Sequence, residues 1–216
     1  MKRVALIVAG GKGIRMNSKI PKQFLLLKNK PVLIHTLKKF SHLDKIILVL
    51  PKKQVIYWEK ICKKYSFTLP HTIIEGGKTR FHSVKNGLEK VEDGSIVVIH
   101  DGVRPCISKI LIDNIIANTK NGVGVISITP VKDSIRKIVN NKTSSIEREH
   151  LYKVQTPQSF MSDNIKEAYT QKYSSTFNDD ATVFETNGGN IYTVIGEEKN
   201  IKITTKEDLK ISELFI

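Results

Sequence analysis

The sequence predicts an α/β fold built on a mostly parallel sheet. Three observations carry that expectation. Short, β-branched runs that are mostly apolar recur along the chain, among them the wholly apolar VALIVA (4–9), KIILVL (45–50) and SIVVIH (95–100). Strands buried on both faces read this way. Segments with helical apolar spacing separate these runs, and that alternation implies right-handed βαβ crossovers. Glycine pairs, Gly10-Gly11 and Gly76-Gly77, follow two of the runs and mark tight strand ends.

Taken in order, 4–9 is the first strand, and a polar Gly/Pro-bearing loop runs from it through Pro21. PVLIHTLKKF (31–40) opens on proline and has helical spacing, so it reads as a helix. A strand at 45–50, a helix at 52–65, a strand at 71–75, a helix at 79–91 and a strand at 95–100 follow. A helix near 108–120 and the strand VGVISI (123–128) complete this regular part. After Pro130 the pattern changes. Two β-like pieces, near 132–138 and 147–154, flank the polar tip NNKTSS, with too little apolar surface for a core strand. They predict a protruding hairpin arm at about 132–154 that packs on another subunit, since an isolated two-stranded arm is marginal. Helices near 161–173 and 179–187, a strand at 190–195 and a helix from about 206 end the chain, within a single domain spanning 1–216.

Composition narrows the function. Hydrophobic residues at 40% and charged residues at 26% describe a globular chain able to bury a core. No apolar stretch has the length of a membrane span, and MKRVALIVAGGKG does not read as a secretory signal. The two cysteines, Cys62 and Cys106, make neither a disulfide framework nor a zinc site, so a reducing cytoplasm is the expected compartment. The net charge of +14 lies entirely in residues 1–108, which hold 21 Lys/Arg against 7 Asp/Glu. That asymmetry favours an anionic partner. Only six of the 35 cations are arginine, and no basic helix or stacking motif accompanies them, so a small anionic substrate is expected rather than nucleic acid.

Three segments are placed for chemistry. AGGKGIRM (9–16) follows the first strand, and its glycines let backbone N–H groups approach phosphates. It lacks the lysine and hydroxyl of a Walker loop and is not GxGxxG, so alone it equally suits a tight turn. Arg15 and Lys22 beside it are two cations suited to a triphosphate whose charge rises on reaction. HDGVRP (100–105) ends the fourth strand, and ligands of open α/β sheets sit beyond the carboxyl ends of strands, which places Asp101 and Arg104. The plain alternative is that Asp101 caps a turn and pairs with Arg104, and His100 reads as packing. GGKTRFHSV (76–84) opens a helix and is suited to the base side of a nucleotide pocket. No nucleophile motif and no zinc spacing occurs.

With AGGKGIRM, PKQ, HDGVRP, PVKDS, TPQ and NIKITTKEDL in this order, the chain resembles the 2-C-methyl-D-erythritol 4-phosphate cytidylyltransferase family essentially end to end. The resemblance implies a doubly wound, nucleotide-diphospho-sugar-transferase-like domain and a homodimer joined through the arms. It implies CMP transfer from CTP to a sugar-alcohol phosphate with Mg²⁺. Ala9, Gly10, Gly11, Gly76 and Ser83 would line the nucleotide pocket. Arg15 and Lys22 would grip the triphosphate and stabilise the transition state, and Asp101 would sit beside ribose and phosphate, near the metal. Lys202 would contact the phosphates from the C-terminal segment, and Thr156 would support the site. Arg148, on the arm, would reach the partner's site, with Ser134 nearby. Ser134 stands where the family usually has threonine, and Asn178 where a threonine often precedes the acidic pair Asp179-Asp180. Ribitol-5-phosphate cytidylyltransferases share the scaffold, but PVKDSIRK looks like the erythritol-phosphate enzymes. A nucleotide sensor or nucleic-acid module would not need separate cations on the arm and C-terminal segment.

Overall fold

Strand β1 (Arg3–Val8) alternates strictly between two cores, because successive side chains of a strand point to opposite faces. Ala5 and Ile7 enter one core and Val4, Leu6 and Val8 the other. The computed structural model describes residues 1–11 and 20–216. After β1, a 3₁₀ turn at Lys22–Phe24 leads into the two-residue strands β2 (Leu26–Leu27) and β3 (Lys30–Pro31). Helix α1 (Val32–Lys39) and strand β4 (Lys45–Leu50) come next, followed by α2 (Lys52–Lys64) and β5 (Thr72–Glu75). Then come α3 (Arg80–Leu88), β6 (Ile96–Asp101), α4 (Lys109–Asn118) and β7 (Val123–Pro130). These agree with the predicted elements to within a few residues, apart from the small β2–β3 hairpin.

One sheet has the order β5-β4-β1-β6 on one side, with all neighbours parallel. The chain leaves β1 toward β4 and β5, then crosses back to place β6 on the other side of β1. That reversal leaves a crevice beyond the carboxyl ends of β1 and β6. Residues of α1, α2 and α4 cover one face, where Trp58 and Phe40 are fully buried, and residues of α3 cover the other.

Beyond β7 the structure departs from the predicted elements. The arm is a separate two-stranded sheet, β8 (Ile135–Val139) and β9 (Lys142–Ile146), turning at Asn140 and Asn141. Both asparagines have positive φ, 48° and 61°, the geometry of the hairpin turn whose twist matches its strands. The second arm strand is therefore KTSSI, inside the predicted tip, rather than 147–154. Tyr152–Met161 instead forms β10, a long strand antiparallel to both β6 and β7 in the middle of the main sheet. Pro157, which has no N–H to donate, reads against a central strand. Its place is made by a register shift between Val154 and Gln158. Helix α5 (Ser162–Ala168) is accordingly shorter than the predicted 161–173. Helix α6 (Asp180–Thr186), β11 (Asn190–Ile195), parallel to β7 at the sheet edge, and α7 (Lys206–Ser212) close the fold.

Gly124 in β7 fixes the spacing of this second half. A Cβ there would lie 2.4 Å from Cε1 of the fully buried Phe160 on β10. Gly124→Ala is expected to cost about 1–3 kcal/mol by overpacking, read as a lower urea midpoint. Adding Phe160→Leu should recover part of the loss, since residues in contact couple. An unchanged midpoint in Gly124→Ala would show that the backbone and ring part without strain.

Candidate active site

The carboxyl ends of β1, β4 and β6 open on a cavity of about 470 Å³. Backbone bonds that continue beyond the strands hold its rim: Ala9 N–H donates to Val49 O at 3.0 Å, Gly76 N–H to Leu50 O at 2.8 Å and Gly102 N–H to Val8 O at 2.9 Å. Ala9, Gly10 and Gly11 form one wall, and residues 76–80 with Ser83 form the facing wall. That second wall needs glycine, because a Cβ on Gly77 would lie 2.4 Å from the His82 Cβ. Ser83 Oγ accepts from Gly77 N–H at 3.1 Å and donates to Thr79 O at 2.9 Å, tying the loop to the first turn of α3. Lys22 and Gln23 enter from the 3₁₀ turn, Asp101 from β6, and Lys202 and Thr204 from the extended segment before α7.

Asp101 gathers the charge. Its carboxylate is buried, with Lys202 Nζ at 2.9 Å and Arg104 Nε at 3.3 Å from Oδ2, and Arg80 Nε at 3.7 Å from Oδ1. Burial works against its ionisation, but Lys202, then Arg80 and Arg104, overcome that and hold it well below the usual carboxylate range. Arg80 is itself locked in place. It pairs bidentately with the fully buried Asp180, at 2.8 and 2.6 Å, and Tyr169 donates its hydroxyl to the same carboxylate at 2.6 Å. Burial opposes the guanidinium charge, and Asp180 more than offsets it.

A layer behind Asp101 sets its position. Thr156 Oγ1 accepts from Asp101 N–H at 3.0 Å and lies 3.1 Å from His100 Nδ1, whose ring also meets Arg104 O through Nε2 at 3.0 Å. Arg104 donates to Asn200 O at 2.8 Å, and Asn200 donates to Thr156 O at 2.8 Å. The C-terminal segment is thereby fastened to the ends of β6 and β10. Ile203 inserts into a small apolar cluster with Leu27, Val32 and Val103, and Lys22 Nζ donates to Ile203 O at 3.1 Å.

The cavity brings together Ala9, Gly10, Gly11, Lys22, Gly76, Ser83, Asp101 and Lys202 of the predicted residues. Arg104 and Thr156 touch Asp101 rather than the cavity, and the Asp101–Arg104 pair foreseen as the plain alternative coexists with a cavity position. Ser134 and Arg148 lie on the exposed arm segment, where Arg148 donates to Lys132 O, and neither lines this cavity. Arg15 lies outside the described residues. His100 is packing, as expected: it is fully buried against Phe40, and burial pushes its imidazole down to about 4. Sequence reasoning missed Arg80 and the role of Asp180. The one available signal was an arginine in the first turn after Gly76-Gly77, with nothing to name its partner one hundred residues away.

Chemically, the cavity gathers Lys22, Lys202 and Arg80 on its lining, a set of positive charges suited to a polyanion. Among the described residues, no three His, Cys, Asp or Glu side chains cluster as a closed metal cage. Asp101 is the one carboxylate among the described residues lining the cavity. One ionised carboxylate together with substrate phosphates is how Mg²⁺ is commonly held, so the donor set fits that ion.

Comparison with known proteins bears on the same site. The 2-C-methyl-D-erythritol 4-phosphate cytidylyltransferase (IspD) family matches residues 3–216. The chain is 46% identical over 221 residues to a protein of that name from Azobacteroides pseudotrichonymphae, covering 100% of this chain and 99% of the relative. It is 44% identical over 219 residues to its namesake in Bacteroides fragilis, covering all of both. Among solved structures it is similar to the Francisella tularensis 2-C-methyl-D-erythritol 4-phosphate cytidylyltransferase, with TM-score 0.83 and 28% identity over the whole of both chains.

The buried His100 gives the site a pH signature. Its proton affinity is lower folded, about 4, than unfolded, about 6.5, so the unfolded chain takes the proton first. Its contribution is fully present above pH 6.5 and is lost as pH falls toward 4, by about 3 kcal/mol over the whole window. Asp101 adds a second loss only below the ordinary carboxylate range. Urea unfolding of His100→Gln at several pH values should therefore show a flatter profile than wild type between pH 6.5 and 4. Parallel profiles would mean that His100 is not held neutral.

Proposed function

The chain belongs to the 2-C-methyl-D-erythritol 4-phosphate cytidylyltransferase family, and from that premise and the cavity geometry we propose that it transfers CMP from CTP to 2-C-methyl-D-erythritol 4-phosphate, in isoprenoid precursor biosynthesis. The products are 4-diphosphocytidyl-2-C-methyl-D-erythritol and pyrophosphate. The observation that carries the reading is the ionised Asp101 at the strand ends, ringed by Lys202, Arg80 and Arg104 beside a glycine-walled cavity.

The chemistry asks little of proton transfer. An oxygen of the sugar phosphate attacks the α-phosphorus of CTP, a new P–O bond forms, and the bond to the β-phosphate bridge breaks as pyrophosphate leaves. A phosphate monoester has a second pKa of about 6, so the nucleophile is already dianionic near neutrality. Two anions must meet and a third must leave, which is a demand on fixed positive charge. Lys22, beside the glycine wall, would grip the triphosphate, and Lys202 enters the cavity from the segment before α7, whose Ile203 O accepts from Lys22 Nζ. Arg15 joins them by family resemblance alone. Asp101 would hold Mg²⁺, which supplies charge neutralisation on the phosphates. The preference for CTP over ATP rests on the family resemblance, with the wall formed by Gly76, Gly77 and Ser83 as the base side of the cavity.

The arm supports a dimeric reading. Ile138, Val139, Tyr152 and Val154 are large apolar side chains left exposed on or beside it. A second copy of the chain would cover them and bring Arg148 and Ser134 to the neighbouring cavity, where Arg148 would bind the sugar phosphate.

The direct test is pyrophosphate release with CTP or ATP, Mg²⁺ or EDTA, and methylerythritol or ribitol phosphate. Turnover is expected only with CTP, Mg²⁺ and methylerythritol phosphate, and equal rates with ATP or ribitol phosphate would refute the assigned substrates. Lys22→Ala is expected to lower kcat by roughly 10²–10³. A change confined to KM would make Lys22 a binding residue only. Mixing Lys22→Ala with Arg148→Ala after subunit exchange tests the shared site. About half of randomly formed dimers are mixed, each with one intact site of two, so activity should return to roughly a quarter of wild type. Verified exchange without recovery would place Arg148 in its own subunit's site.

A further inference from the structure

Arg80 is held in a way that leaves one edge of its guanidinium open. Asp180 takes the far end, where Nη1 donates to Oδ1 at 2.8 Å and Nη2 to Oδ2 at 2.6 Å. A guanidinium carries five N–H donors, one on Nε and two on each Nη. The Nε–H and the second N–H of Nη2 lie side by side, the fork that a phosphate accepts bidentately. Asp101 does not fill that fork, because Nε stands 3.7 Å from its Oδ1, beyond hydrogen-bonding distance. Among the described residues no other acceptor meets it. The Arg80 side chain is 28% exposed, and Arg80 and Asp101 both line the cavity, so the open edge faces the space a ligand would fill.

The other end is held too firmly to turn. Asp180 is fully buried, and its Oδ1 also accepts from the buried Tyr169 hydroxyl at 2.6 Å. It begins α6, whose first turn is fixed to β10: Gln158 donates to Asp179 Oδ2 at 2.8 Å and accepts from Ala181 N–H at 2.9 Å. Rotating the guanidinium away would leave a buried carboxylate unpaired, which is strongly unfavourable. The direction of the open edge is therefore set from α6 and β10.

We propose that Arg80 binds a phosphate of the nucleotide through its Nε–Nη2 edge, and that Asp180, steadied by Tyr169, is the positioning residue that aims it. This rests on reading the cavity as a nucleotide site. An unrestrained Arg80 would close the short gap to Asp101, pair with it directly and lose the edge. A carboxylate beside an anion site ordinarily weakens anion binding through its field. Here Asp180 strengthens it, by keeping a donor pair presented.

The test compares affinity for CTP with Mg²⁺, by calorimetry, with affinity for cytidine, which has no phosphate, by ligand-observed NMR. No sugar phosphate is added, so no turnover intervenes. Asp180→Asn should weaken CTP binding roughly tenfold and leave cytidine binding unchanged. If Asp180 acted only through its charge, its removal would tighten CTP binding, and that result would overturn the proposal. Arg80→Lys keeps an ion pair with Asp180 but has no second edge, and it should lose CTP affinity to a similar extent. Arg80→Gln combined with Asp180→Asn leaves no buried carboxylate unpaired, so it should unfold at a higher urea midpoint than Arg80→Gln alone yet bind CTP no better than Asp180→Asn. CTP binding that recovers with the midpoint, or that falls only in step with cytidine binding, would make the pair a structural clamp and overturn the assignment. Wild type binding CTP no more tightly than cytidine would overturn the nucleotide reading itself, and the role of Arg80 with it.

Discussion

An ionised carboxylate buried at the end of a central strand must be surrounded by positive charge, and the site is organised around that constraint. Leaving such a group unpaired is strongly unfavourable, so each partner of Asp101 has to be delivered to it accurately. The partners come from places far apart in sequence: Arg104 from the loop after β6, Arg80 from the start of α3, and Lys202 from the segment before α7. Correct assembly of both halves of the chain is thus a condition for neutralising one group.

The delivery is itself mechanical. Arg80 cannot reach Asp101 usefully unless Asp180 grips its guanidinium, and Asp180 sits at the first turn of α6, where Asp179 caps the helix by accepting from Thr182 N–H at 2.9 Å. Lys202 is placed by Ile203 burying itself beside Val103, and the same segment is fastened by Asn200 to Arg104 and Thr156. Gln155 joins in, donating to Glu197 O at 2.9 Å. The antiparallel strand β10, although remote from the crevice by sequence, is therefore what connects the parallel half of the sheet to the C-terminal segment.

This explains which features were legible in the sequence. The parallel half announces itself, because strands buried on both faces must be apolar throughout, and glycines at their ends mark where a ligand approaches. Asp101, Lys22, Lys202 and the two glycine walls follow from position and resemblance. β10 was hidden because its stretch TPQSF does not alternate and carries Pro157, accommodated only by a register shift that tertiary pairing creates. KTSSI was hidden because a solvent-facing arm strand has no buried face to pattern its residues. Arg80 and Asp180 were hidden for a third reason: the pair exists only after α3 and α6 pack on the same face.

The distribution of protonation states has a consequence for the chemistry. Both groups are buried: Lys202, Arg80 and Arg104 keep Asp101 charged against that burial, whereas for His100 burial prevails and keeps it neutral. Cys106 is buried and its thiol is pushed up, so it too stays uncharged. The two groups nearest the strand end therefore hold one charge pattern through the neutral range, and His100 is taken out of acid–base duty. In the proposed reaction the group whose ionisation matters in that range is the substrate's own phosphate monoester, with its second pKa near 6. A cavity of fixed charge then favours the dianionic nucleophile by its field rather than by accepting a proton.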